Sequence, residues 1–110
     1  MKIITLCGST RFKEEFEEQN KRLTLEGNIV ISVGLFGHSG DIITEDQKIM
    51  LDEIHKRKID LSDEIFIINV GDYIGSSTWN EIQYARKNNK PVKYLFPTLE
   101  DEGYIHQGSM

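Results

Sequence analysis

Ile65-Phe66-Ile67-Ile68, with Val70 two residues further on, is an uninterrupted apolar run. A strand that faces water on one side alternates apolar and polar residues, whereas a strand covered on both faces of a parallel sheet does not. The run therefore predicts the central strand of a parallel sheet. Upstream, Lys2-Ile3-Ile4-Thr5-Leu6-Cys7 is too short for a helix and is stopped by Gly8, which marks a first strand. Residues 12–26 place Phe12, Phe16 and Leu23 on one face, with Glu17/Lys21 and Glu18/Arg22 as i,i+4 pairs on another, and Gly27 is positioned as the residue that closes this helix. The β-branched Ile29-Val30-Ile31-Ser32-Val33 follows as a second strand.

The segment Gly34-Leu35-Phe36-Gly37-His38-Ser39-Gly40-Asp41 has no apolar period and reads as a loop long enough to be functional. Thr44-Glu45-Asp46-Gln47 has capping-box spacing, and Met50, Ile54 and Leu61 continue at helical intervals, so a second helix is expected to run to about Asp60. Downstream of the central run, Ser76-Ser77-Thr78 opens a third helix through Trp79, Ile82 and Ala85 to about Asn89. Val92-Lys93-Tyr94-Leu95-Phe96 then forms a fourth strand between two prolines. Strands that alternate with helices define an α/β domain, a three-layer sandwich around a parallel sheet of four to five strands. The domain covers residues 1–97, and residues 98–110 read as a polar tail.

At 110 residues the chain has room for one hydrophobic core. No apolar run approaches the ~20 residues that span a bilayer, and the N-terminus turns polar too soon for a signal peptide, which points to a cytoplasmic protein without a membrane partner. The lone Cys7 excludes an intramolecular disulfide and a cysteine metal cluster. A net charge of -5 argues against a nucleic-acid partner, because such binding rests on cations that neutralise phosphates. A small ligand remains compatible with this charge.

In parallel sheets, ligands sit beyond the carboxyl ends of the strands. That rule selects residues 8–11, 34–44 and 69–81. Gly8-Ser9-Thr10-Arg11 joins a strand end to a helix start, where backbone N–H groups, two hydroxyls and a guanidinium suit a phosphate; an ordinary helix cap is the alternative. Neither a P-loop nor a dinucleotide fingerprint is present. Gly75-Ser76-Ser77-Thr78-Trp79-Asn80-Glu81 brings hydroxyls and one carboxylate to a helix start. There Thr78 and Glu81 have the spacing of a capping box, while a functional Glu81 requires its carboxylate to face a pocket. His55, Asp60 and Asp63 accompany Lys56, Arg57 and Lys58 on a stretch that otherwise resembles a solvated helix face, and His38 and Asp41 belong to the glycine-rich loop. No spacing of His, Asp, Glu or Cys suggests a metal site. Trp79 reads more simply as packing than as a stacking platform.

Taken together, these residues resemble the nucleoside 2-deoxyribosyltransferase-like superfamily, which includes 2′-deoxynucleoside 5′-phosphate N-hydrolases. The likeness spans about residues 2–96. It rests on Cys7-Gly8-Ser9-Thr10-Arg11 after the first strand, on Ser62-Asp63-Glu64-Ile65-Phe66-Ile67-Ile68, and on residues 75–81 followed by Ile82-Gln83-Tyr84-Ala85 and Lys90-Pro91-Val92. The resemblance implies a flavodoxin-like sheet, a homodimer or higher homo-oligomer with composite pockets, and cleavage of an N-glycosidic bond without cofactor or metal. Glu81 matches the family's nucleophile. Gly8, Ser9, Thr10, Arg11, Ser76, Ser77 and Thr78, with His38 reaching in from the loop, would hold the sugar or a 5′-phosphate of a small nucleoside or nucleotide. The chain departs from the hydrolases at Thr5, where they have Tyr, and at His55, where they have Asp. The general acid is then left among His55, Asp60 and Asp52. A non-catalytic nucleotide-binding or sensor module of the same fold is the alternative. A phospho-receiver domain is disfavoured, because strand one ends in Cys7-Gly8-Ser9 rather than in an acidic pair.

Overall fold

The computed structural model describes residues 1–36 and 42–97; His38, Asp41 and the tail 98–110 lie outside the described residues. The chain runs β1 (Ile3–Gly8), α1 (Lys13–Leu25), β2 (Ile29–Ile31), α2 (Glu45–Leu61), β3 (Glu64–Ile68), a 3₁₀ turn (Val70–Asp72), α3 (Ser76–Lys87) and β4 (Val92–Tyr94). The four strands form one sheet in the order β2-β1-β3-β4. Every neighbouring pair is parallel, with Ile4 opposite both Val30 and Glu64, and Ile65 opposite Val92. This is a single-domain α/β sandwich of the flavodoxin or Rossmann type.

Alternation along β1 and β3 divides the core in two. Ile4, Leu6, Phe66 and Ile68 pack with Phe16 and Leu23 of α1 on one face. Cys7, Ile65 and Ile67 pack with Ile59 of α2 and with Ile82 and Ala85 of α3 on the other. Burying each such Ile or Leu contributes about 1.5–3 kcal/mol, and every residue of β3 is buried, which is why its sequence shows no alternation.

The helix ends follow local chemistry. Gly27, at φ +96, lets α1 close with its own N–H donating to the Thr24 carbonyl at 3.0 Å and the Asn28 N–H to the Leu23 carbonyl at 3.2 Å. The expected capping box at α2 is reciprocal: the Gln47 N–H donates to Thr44 Oγ1 at 3.1 Å, and the Thr44 N–H to Gln47 Oε1 at 3.0 Å. On α1, Arg22 pairs with Glu26 at 2.9 Å and with Gln19 at 2.8 Å rather than with Glu18.

Three expectations need correction. Met50, Ile54 and Leu61 do not form the inward face of α2; all three are exposed, and the helix buries His55 and Ile59 instead. Polar bonding and the buried Ile59 together fix that orientation. Thr5 Oγ1 bonds Ser62 Oγ and the Lys58 carbonyl, so hydroxyls tie the end of α2 to β1 beside the apolar contact that Ile59 makes in the core. The second strand ends at Ile31, short of Val33, and the fourth ends at Tyr94, short of Phe96. Beyond it the buried Asn69 side chain takes over, donating to the Phe96 carbonyl at 2.8 Å and accepting from the Phe96 N–H at 3.0 Å.

Candidate active site

The chain leaves β1 toward β2 on one side of the sheet and reaches β3 on the other, which opens a crevice at the carboxyl ends of β1 and β3. A cleft of about 420 Å³ lies there. Residues 8–11 form one rim and residues 75–78 the other, while α2 contributes Asp52, His55 and Lys58 and α3 contributes Glu81.

The first rim is not a helix cap. The N-cap of α1 is Phe12, which supplies no side-chain cap bond, so Ser9 and Thr10 stand ahead of the helix. Ser9 Oγ accepts from the Arg11 backbone N–H at 3.3 Å and from Arg11 Nε at 3.2 Å. The Arg11 guanidinium lies 4.4 Å from the centre of the Tyr73 ring and reaches the Tyr73 hydroxyl at 3.5 Å. Gly8 allows β1 to press on β3: a Cβ there would meet the Ile68 carbonyl oxygen at 2.8 Å.

The second rim overturns the capping-box alternative for Glu81. The N-cap of α3 is Gly75, so Ser76, Ser77 and Thr78 are the first three helical residues and Glu81 belongs to the second turn rather than the first. Thr78 is buried inside the helix, and the Glu81 side chain, 18% exposed, lines the cleft. Ser76 and Ser77 are exposed on the same rim.

Three groups from three elements meet at the cleft floor, His55 and Glu81 lining it and Cys7 buried behind them. Cys7 Sγ of β1 is 3.3 Å from His55 Nε2 of α2, and His55 Nε2 is 3.6 Å from Glu81 Oε1 of α3. Burial, then the Lys58 charge, lowers His55 to about 4. Burial and the Asp52 charge raise Glu81 to about 8, against a lowering hydrogen bond from Cys7. At neutral pH the His55–Glu81 contact therefore joins two uncharged groups and is no ion pair. Burial, followed by Glu81, pushes the Cys7 thiol well above its ordinary range, which makes it a poor nucleophile.

The structure thus brings His55, Glu81 and both hydroxyl-bearing rims together, and it sets Asp60 apart. Asp60 is exposed, accepts from the Tyr84 hydroxyl at 2.7 Å and pairs with Arg57 at 3.1 Å, and it does not line the cleft. Of the two carboxylates weighed as general acid, Asp52 is the one beside Glu81. Asp63 accepts from the Ile3 N–H at 2.8 Å and so fastens the entry of β3 to β1. Trp79 packs against the α2/α3 side of the core, with Arg86 5.8 Å from its ring centre. Thr5 is fully buried in its tether to α2 and does not line the cleft. Sequence reasoning missed Cys7 as part of the site. Its signal was present in the period of two, which places it on the α2/α3 face at the strand's carboxyl end.

Comparisons with models of protein families, with curated proteins and with solved structures find no match to this chain. The fold and the cleft define an α/β domain with a small-molecule-sized pocket at the switch point of its sheet.

Proposed function

We propose that the protein cleaves the N-glycosidic bond of a nucleoside or nucleoside 5′-monophosphate, transferring the glycosyl group to water or to an acceptor base. The observation that carries this reading is the pair of carboxyls, Glu81 and Asp52, on one cleft between two hydroxyl-lined rims at strand ends. Glu81 gives its proton to Asp52, and the Glu81 carboxylate attacks the sugar C1′ as the C1′–N bond breaks while Asp52 delivers that proton to the departing base. Water or a second base then attacks C1′, the ester to Glu81 breaks, and the nucleophile's proton returns to Asp52. Residues 8–11 and 76–78 hold the sugar or phosphate through N–H groups, hydroxyls and Arg11. The reading includes a homo-oligomer, supported by the exposed Ile49 and Met50 on α2 beside the cleft.

The test is chromatographic detection of free base from a panel of deoxynucleosides, ribonucleosides and their 5′-monophosphates, with and without an acceptor base. Glu81→Gln abolishes release, and Asp52→Asn lowers it by about 10²–10⁴-fold. The proton that reaches the base is the one that burial and the Asp52 charge keep on Glu81 up to about pH 8, so kcat/KM falls as pH rises beyond that value. A Glu81→Gln variant that keeps its rate overturns the mechanism.

A second reading, a non-catalytic nucleotide-binding module, is favoured by the buried, uncharged His55 where the hydrolases have Asp. Its signature is a ligand-dependent rise in Tm with no base released.

A further inference from the structure

We propose that Cys7, His55 and Glu81 form a binding site for a thiophilic divalent cation, Zn²⁺ first among them. The three donor atoms lie within 4.8 Å of one another. In a tetrahedron with bonds of about 2.0–2.3 Å, neighbouring ligand atoms are separated by about 3.3–3.7 Å. The observed separations of 3.3 Å (Sγ to Nε2) and 3.6 Å (Nε2 to Oε1) are edges of that size. Each ligand comes from a different element, β1, α2 and α3, all packed into one half of the core, so the triad is held by tertiary structure rather than by a flexible loop.

The donor set selects the ion. One sulfur, one imidazole nitrogen and one carboxylate oxygen suit Zn²⁺ or Co²⁺, whereas Mg²⁺ and Ca²⁺ take oxygen ligands. Ligation replaces the thiol proton of Cys7 and the carboxyl proton of Glu81, and the two negative ligands balance the ion's charge while His55 binds in its neutral form. Lys58 is a cation whose charge acts on Cys7 and His55, and its Nζ is turned to the Ser32 carbonyl at 2.8 Å. His55 and Glu81 both line the cleft, so the fourth position opens toward it. An ion held this way occupies the Glu81 carboxylate and blocks its attack on C1′. This inhibition rests on the glycosidic reading above; ion binding itself does not.

The test titrates chelator-treated full-length protein with Co²⁺ and follows thiolate-to-metal charge transfer in the near ultraviolet and the visible bands of a tetrahedral site. Zn²⁺ is then competed against a chromophoric chelator. The expected result is one ion per chain, displaced by Zn²⁺ but not by Mg²⁺, with affinity lower by on the order of 100-fold in Cys7→Ser. The charge-transfer band disappears in that variant. Joint replacement of His38 and His106 by Ala leaves ion binding intact. Absence of the band in the wild-type protein, an unchanged band in Cys7→Ser, or loss of binding in the His38/His106 variant overturns the site. Should Cys7→Ser lose its fold by circular dichroism, Glu81→Gln decides: a folded Glu81→Gln protein with undiminished affinity overturns the triad. Zn²⁺ added to the base-release assay suppresses turnover where Mg²⁺ does not. Failure of base release in metal-free protein removes the glycosidic reading and leaves the spectroscopic result standing.

Discussion

Gly8 sits where a side chain has no room: a Cβ would stand 2.8 Å from the Ile68 carbonyl oxygen and 3.0 Å from its Cβ, both on the paired strand. Gly8→Ala must therefore part β1 from β3 at the cleft, at a cost of about 1–3 kcal/mol, visible as a lower urea midpoint. Charge acts on stability through the same few residues. His55, lowered to about 4 from 6.5, contributes stability that is present above pH 6.5 and lost as pH falls toward 4. Glu81, raised from 4.5 to about 8, acts with the opposite sign: its contribution is present below pH 4.5 and lost as pH rises to 8. The two oppose each other between pH 4.5 and 6.5, and above 6.5 the Glu81 effect continues alone. Metal-free protein should lose about 2 kcal/mol of stability between pH 6.5 and 8, and Glu81→Gln should abolish that loss in denaturation curves at the two pH values. The role of Glu81 was only half legible in the sequence. Its spacing from Thr78 fits a cap as well as a site, and only the start of α3 at Ser76 separates the two.

At the scale of elements, the reading from sequence was best where local chemistry alone decides the outcome. The Thr44/Gln47 box and the Gly27 closure are bonds between near neighbours, and both form as their spacing predicts. Thr44→Ala should accordingly cost about 1 kcal/mol, measured as a fall in unfolding free energy with no change in the cleft's ligand response. The reading was poorest where distant parts of the chain decide. Helical spacing picks out Met50, Ile54 and Leu61, but the face of α2 that turns inward is set by the burial of Ile59 and by Thr5 bonding Ser62 and the Lys58 carbonyl. The same limit applied to the general acid. Asp52 and Asp60 both lie within about a turn and a half of His55 along the sequence, and the structure gives Asp60 to Tyr84 of α3 and to Arg57 of its own helix while Asp52 stays at the cleft.

At the scale of the whole molecule, strand order matters more than any single motif. With β1 and β3 adjacent at the centre, loops separated widely in the chain become the two rims of one cleft. No described helix is long and apolar enough to cross a membrane, yet Ile49 and Met50 stand 63% and 52% exposed on α2. In the homo-oligomer proposed above those side chains would be covered, so joint replacement by Glu should shift the protein to a smaller species in sedimentation velocity while leaving its circular dichroism unchanged. An unaltered sedimentation coefficient would place any self-association elsewhere. The single sulfhydryl of the chain, Cys7, is fully enclosed between β1, α2 and α3. A thiol reagent reaches it only when those elements part. Where reclosing is faster than the reagent, the labelling rate is the intrinsic rate multiplied by the opening equilibrium, so a time course of alkylation reads out the local opening free energy. The protein thus carries a native probe of the motion that would bare the floor of its own cleft.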